Sequence, residues 1–188
     1  QFLIFSATIS KGLRAFLNKY LQNIETIILE EKNLTKENIE HLMLQCKAKQ
    51  KEHVLLDLLQ VINPYLAIIF VNKKDKVESL SMMLAENGYK VGKIHGAMDD
   101  RDRKQMLRRI KNLEFKYVVA SDIAARGIDI EGVSHVINFD LPVDTEFYIH
   151  RTGRTARFNN TGIAISLYAY DDDAYVNGLR EKGLVVKF

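Results

Sequence analysis

Little in this sequence invites a cross-link or a membrane. Only one of its 188 residues is cysteine, which excludes a disulfide framework and a cysteine-built metal site. That residue, Cys46, ends the apolar stretch Leu42–Cys46 and reads as a buried, inert thiol. No run of 18 or more apolar residues occurs, so nothing here is expected to span a bilayer. The opening Gln1–Ser6 lacks the basic start of a signal peptide and begins with strand-like residues. It reads as a fragment of a longer chain, and a cytoplasmic home fits. Net charge is +3, too small to mark a polyanion partner and adequate for solubility. Internal repeats and low-complexity tracts are absent too.

What is present is alternation. Short apolar runs at Phe2–Phe5, Thr26–Leu29, Glu40–Cys46, Leu66–Val71, Lys90–Ile94, Lys116–Ala120, His135–Phe139 and Gly162–Tyr168 read as strands. Helical patterns fall between them at Lys11–Gln22, Ala48–Ile62, Asp75–Glu86, Asp100–Asn112, Asp144–Arg151 and Asp171–Lys182. Leu80, Met82 and Met83 are expected in the core on one helical face. This order predicts an α/β fold: a doubly wound, mostly parallel sheet with helices on both faces. The charged segment Glu30–Asn38 lacks apolar periodicity and reads as a linker.

Four segments carry candidate chemistry. The strongest is His150–Arg157, where Arg151, Arg154 and Arg157 stand among glycine and small residues. Guanidinium groups match phosphate oxygens bidentately and stay charged, and the i, i+3 spacing of Arg154 and Arg157 can aim both at one place. On charge alone such a run is a solvated basic face. Here Phe147 and Ile149 are expected to pin it to the core, while Gly153 permits close backbone approach. The second segment, Ala120–Asp129, follows a strand; its Ser/Asp turn offers N–H groups and a hydroxyl to a phosphate. Asp129 would suit a ribose hydroxyl, although, taken alone, the segment reads better as a plain helix cap at Asp122. The third, Ile94–Arg103, runs on through Lys104, Arg108, Arg109 and Lys111. It could grip a nucleic-acid backbone, or simply satisfy its own helix dipole. Last, Ser6-Ala7-Thr8 ends the first strand and alone is ordinary turn chemistry. His41, His53 and His135 have no acid or cysteine partners at ligand spacing, and Asp171–Asp173 opens a helix without needing a metal.

In this order the four segments resemble the DEAD-box RNA helicases. Ser6-Ala7-Thr8 is similar to the family's SAT motif, Ile69–Asn72 to its fourth motif, Ser121–Asp129 to its fifth and His150–Arg157 to its sixth. The resemblance implies that residues 1–31 are the severed end of a first RecA-like domain, 32–38 a linker and 39–188 a second RecA-like domain. It implies that Arg154 and Arg157 are arginine fingers for ATP, with Mg²⁺, held mainly by the missing domain. Asp129 and Gly127 would also contact the nucleotide. His150, Arg126, Ser6 and Thr8 would couple the domains. Asn72, Lys73, Gly96, Arg103 and Ser121 would touch RNA phosphates with little sequence specificity. The fragment alone should not hydrolyse ATP. Some positions depart from the family pattern: Asp100 replaces a glutamine, Lys73 a threonine and Ala156 a glycine. A DNA helicase of the same superfamily and a non-catalytic protein-binding module are the alternatives. Orphaned strands before residue 31 would seek partners, so self-association is also expected.

Overall fold

The computed structural model describes residues 4, 11–21, 25–27, 38–125, 130–156 and 161–184. The chain divides into two compact units, Gln1–Lys32 and Asn33–Phe188. In the first, α1 (Lys11–Tyr20) buries Leu17, and the Phe16 and Tyr20 rings meet one turn apart at 4.7 Å. Of the expected strand Phe2–Phe5 only Ile4 is described, and it is exposed. Thr26 and Ile27 carry no regular structure, and the rest of Thr26–Leu29 lies outside the described residues. So does the expected linker, apart from Asn38.

The second unit is the predicted α/β sandwich. Its strands are β1 (Ile39–Gln45), β2 (Ala67–Val71), β3 (Val91–Ile94), β4 (Tyr117–Ser121), β5 (His135–Asn138) and β6 (Gly162–Tyr168). They form one sheet in the order β1-β6-β5-β2-β4-β3, every pairing parallel. The helices are α2 (Lys51–Val61), α3 (Lys74–Glu86), α4 (Asp100–Lys111), α5 (Asp122–Ala125), α6 (Thr145–Thr152) and α7 (Asp173–Glu181). Asp99 caps α4 by accepting from the Asp102 N–H at 2.8 Å, and Asp144 caps α6 from the Phe147 N–H at 2.9 Å. α5 was not expected as a helix, because four residues are too few to show a period.

The continuous apolar runs are explained by burial on both faces. In β2, Ala67, Ile69 and Val71 face a core with Leu55 and Leu59 of α2 and Val77, Leu80 and Leu84 of α3. Ile68 and Phe70 face the opposite core, which Ile110 of α4 closes. A third cluster joins Met43 of β1 to Tyr148 of α6 and Val176 and Leu179 of α7. Each fully buried aliphatic side chain contributes about 1.5–3 kcal/mol. Cys46 is buried as expected, and desolvation raises its thiol pKa. Met82 corrects the expected core: it is 61% exposed, whereas Leu80 is buried and Met83 half-buried. Two steps along a helix turn the side chain by about 200°, so Met82 cannot share Leu80's face. His53 lies on the surface, as its lack of a ligand role implies, although it does have an acid neighbour, Asp57, one turn on at 3.6 Å in solvent.

Candidate functional site

Because all six strands are parallel, their carboxyl ends share one edge of the sheet. β2 is central, so Asn72, the Ser121–Asp122 junction and the Phe139–Asp140 turn lie side by side there. Val71 pairs with Ser121, and Phe70 with Asn138.

Arg151 of α6 ties these ends together. Its side chain is 2% exposed, yet it finds oxygen partners for the whole guanidinium. Nε and Nη2 donate to the two carboxylate oxygens of Asp122 at 2.6 and 2.7 Å. Nη2 also donates to Asn72 Oδ1 at 2.7 Å, and Nη1 to the Asp140 carbonyl at 2.6 Å and Asn138 Oδ1 at 3.4 Å. The guanidinium lies 5.1 Å from the Phe70 ring centroid. A buried charge persists only when paired and hydrogen-bonded in this way. The network extends outward. Asn72 Nδ2 donates to the Leu141 carbonyl at 2.9 Å, and the Asn72 N–H to Asp140 at 3.0 Å. Asn138 Nδ2 donates to Ser166 at 3.0 Å.

Sequence reading expected Phe147 and Ile149 to anchor α6. Ile149 is partly buried and does pack against the third cluster, while Phe147 is half-buried. The buried positions are Tyr148, Arg151 and Thr152, with Thr155 just beyond the helix. Their i, i+3, i+4, i+7 spacing was the available signal, masked by a charged residue in the apolar pattern. Tyr148 bonds His41 Nδ1 at 2.9 Å, and burial pushes its phenol up to about 12. Thr155 Oγ1 donates to the Val133 carbonyl at 2.6 Å, and its methyl and hydroxyl fill the space a Cβ on Gly162 would occupy.

The other expected site residues divide. Asn72, Lys73 and Gly96 are exposed at the strand ends, and Ser121 is buried at the end of β4. Arg103 turns inward, donating to the Ala124 carbonyl at 2.8 Å. His150 is half-buried, its ring 6.4 Å from that of Phe147. Arg154 is half-buried and lines a small apolar cavity, about 10 Å³, with Ile68, Ile94, Val118, Ala120, Ile130 and Val133. Ala156 has φ +55°, the left-handed region that favours glycine. Ser6, Thr8, Arg126, Gly127, Asp129 and Arg157 lie outside the described residues.

A second polar corner, also missed in sequence, holds the turn that carries Gly96. The Ala97 N–H donates to His95 Nδ1 at 3.3 Å, so the proton of the neutral ring sits on Nε2, which donates to Glu78 at 2.7 Å. Lys93 also bonds Glu78 and, more than any other neighbour, holds its carboxyl below the usual range.

An edge bearing loop amides, hydroxyls and arginines, positioned by one buried arginine, can bind phosphate-bearing ligands. The helicase conserved C-terminal domain model matches residues 50–159. The chain belongs to that family. This helicase domain is of the DEAD-box type: it is 50% identical over 182 residues to the DEAD-box ATP-dependent RNA helicase CshB of Staphylococcus aureus. That match covers 97% of this chain and 41% of the relative, so the chain spans less than half the relative's length. Saccharomyces cerevisiae Dbp5 bound to RNA and ADP BeF3 superposes with a TM-score of 0.80 at 32% identity, covering 95% of this chain and 47% of that one. The C-terminal domain of the DEAD-box protein Dbp5 superposes with a TM-score of 0.73 at 30% identity, covering 80% of this chain and 89% of that one.

Proposed function

We propose that this helicase domain is the second half of an ATP-dependent DEAD-box RNA helicase, completing a nucleotide site whose other wall belongs to a first RecA-like domain. Residues 1–31 are the end of that first domain, 32–38 the linker and 39–188 the second domain. ATP bound mainly by the first domain receives Arg154 and Arg157 at its γ-phosphate, with Asp129 and Gly127 on the nucleoside side. Mg²⁺ accompanies the ATP phosphates and is assigned with them to the first domain. His150, Arg126, Ser6 and Thr8 couple the two halves. Asn72, Lys73, Gly96, Arg103 and Ser121 take RNA backbone, with little sequence preference. The observation that carries this reading is Arg151, which gathers three adjacent strand ends and fixes the helix from which His150 and Arg154 extend.

The chemistry suits a divided site. Phosphoryl transfer needs alignment and charge neutralisation more than covalent help, and an arginine finger is worth about 10³–10⁵ in rate. With the arginines on one domain and ATP held mainly by the other, hydrolysis depends on closure, and this chain alone is inactive. No helix among the described residues is long and apolar enough to cross a membrane, and we place the helicase in the cytoplasm, where its RNA substrate would be met. Self-association through the Phe2–Phe5 and Thr26–Leu29 runs remains part of the reading, tested by light scattering. Arg154→Ala and Arg157→Ala in the full-length helicase should each reduce RNA-stimulated ATP hydrolysis at least 10³-fold with unchanged thermal unfolding. Undiminished turnover in both overturns the reading, and stimulation by single-stranded DNA in preference to RNA transfers the protein to the DNA helicases.

A further inference from the structure

We infer that the outward face of α4 is a second polyanion track, which carries RNA backbone away from the strand-end site. This rests on the RNA reading above but uses different residues. α4 holds its inner face against the sheet with Ile110 buried and Met106 and Leu107 half-buried. Arg103 turns inward to the Ala124 carbonyl, and Arg109 is engaged by Glu114 at 2.8 Å and lies over the Phe115 ring. Arg101, Lys104, Arg108 and Lys111 remain, all exposed. Their i, i+3, i+7, i+10 spacing makes one stripe about 15 Å long. None of the four forms an ion pair with an acidic side chain among the described residues. Asp100, Arg101, Lys104, Gln105 and Arg108 line an open concavity on this face.

A solvated helix face explains the stripe poorly. Arg108 and Lys111 lie in the last turn, where the dipole welcomes cations. Arg101 lies in the first turn, beside the positive end, where the dipole disfavours it; Asp100 and Asp102 answer the dipole there. Three successive pairs along the stripe are like charges at i, i+3 or i, i+4, which destabilise a helix, and Asp100, four residues before Lys104, offsets only part of this. A linear polyanion removes both penalties. The stripe's length, about 15 Å, is on the scale of a few successive phosphates of a single strand. Gln105 adds a neutral donor within the concavity. An extended phosphodiester backbone fits this row better than a compact anion, because the charges form a line and not a cluster.

The test is binding of this chain to polyuridylate from 50 to 300 mM salt, comparing wild type with Arg101→Gln/Lys104→Gln/Arg108→Gln/Lys111→Gln. Lys182→Gln is the control, and circular dichroism confirms folding. Each phosphate that the protein ceases to neutralise lowers the slope of log affinity against log salt by about 0.7 for a single strand. The quadruple variant should therefore flatten it by about 2–3 and bind at least tenfold more weakly at 50 mM salt, with the control unchanged. Wild-type binding with an unaltered slope in the variant overturns this inference alone. Failure of the wild type to bind polyuridylate at 50 mM salt overturns both it and the RNA reading. Loss of polyglutamate binding with polyuridylate binding intact overturns it in favour of an acidic protein partner.

Discussion

α6 and α4 both carry runs of cations, and the two runs end in opposite environments. On α6, Arg151 is buried and shares five hydrogen bonds with Asn72, Asp122, Asn138 and Asp140. On α4, Arg101 and Lys104 stand in solvent one turn apart. Charge alone does not distinguish them. What separates them is the company each keeps. Arg151 shares a helical face with Tyr148 and Thr152 and meets three strand ends rich in oxygen. Arg101 and Lys104 share theirs with Arg108 and Lys111. A guanidinium goes inside when acceptors are already arranged for it, and a row of like charges stays outside.

That contrast can be broken most decisively at Arg151. Arg151→Ala strands the Asp122 carboxylate and should lower stability by about 3–5 kcal/mol, whereas Arg101→Ala should move it by less than about 0.5 kcal/mol. Urea denaturation of both variants measures the difference. Equal effects would mean that Arg151 organises nothing. A smaller effect is expected just beyond α6, where Ala156 sits at φ +55°. Ala156→Gly should relieve about 1–2 kcal/mol of backbone strain, partly offset by about 0.4–1 kcal/mol of added freedom in the unfolded chain. A small rise in the urea midpoint is the outcome to look for, and a fall would show that the turn prefers alanine.

The smallest effect belongs to the corner that leads into α4. Glu78 has its folded-state pKa lowered, chiefly by the Lys93 hydrogen bond. Its contribution to stability is therefore fully present above the unfolded carboxylate value, about 4.3, and is lost as pH falls through the lower folded value. Wild type should exceed Glu78→Gln in urea midpoint at pH 7, and the gap should narrow between about pH 5 and pH 3. A gap independent of pH would remove the carboxylate from the account.

The fold was largely legible. Six expected strands in the second unit match β1 to β6 within one residue at their ends; β2 and β4, buried along their whole length, write unbroken apolar runs, whereas the marginal β1 and β3 alternate. The candidate site was legible as a set of places and less so as a set of interactions. The motifs around Asn72, Gly96, Ser121 and His150 were recognisable. The inward turn of Arg103, the cavity beneath Arg154 and the hub at Arg151 were not, since all depend on acceptors brought together from distant segments. Ile149 does reach the third cluster, but the fully buried anchor is its neighbour Tyr148, whose phenol hides an apolar helical position. Met82 was misplaced because apolarity was favoured over helical spacing.

The sheet's order has a consequence for how the protein is made. Among the described residues β1, at one margin, pairs with β6 alone, Ile39 opposite Gly162. During synthesis β1, the first strand among the described residues of this unit, must wait for β6, the last of them, while β2 to β5 can already assemble between them. Until Tyr168 leaves the ribosome, the backbone amides and carbonyls of Ile39–Gln45 have no ladder to join, and Met43 and its neighbours are surface that a chaperone could hold.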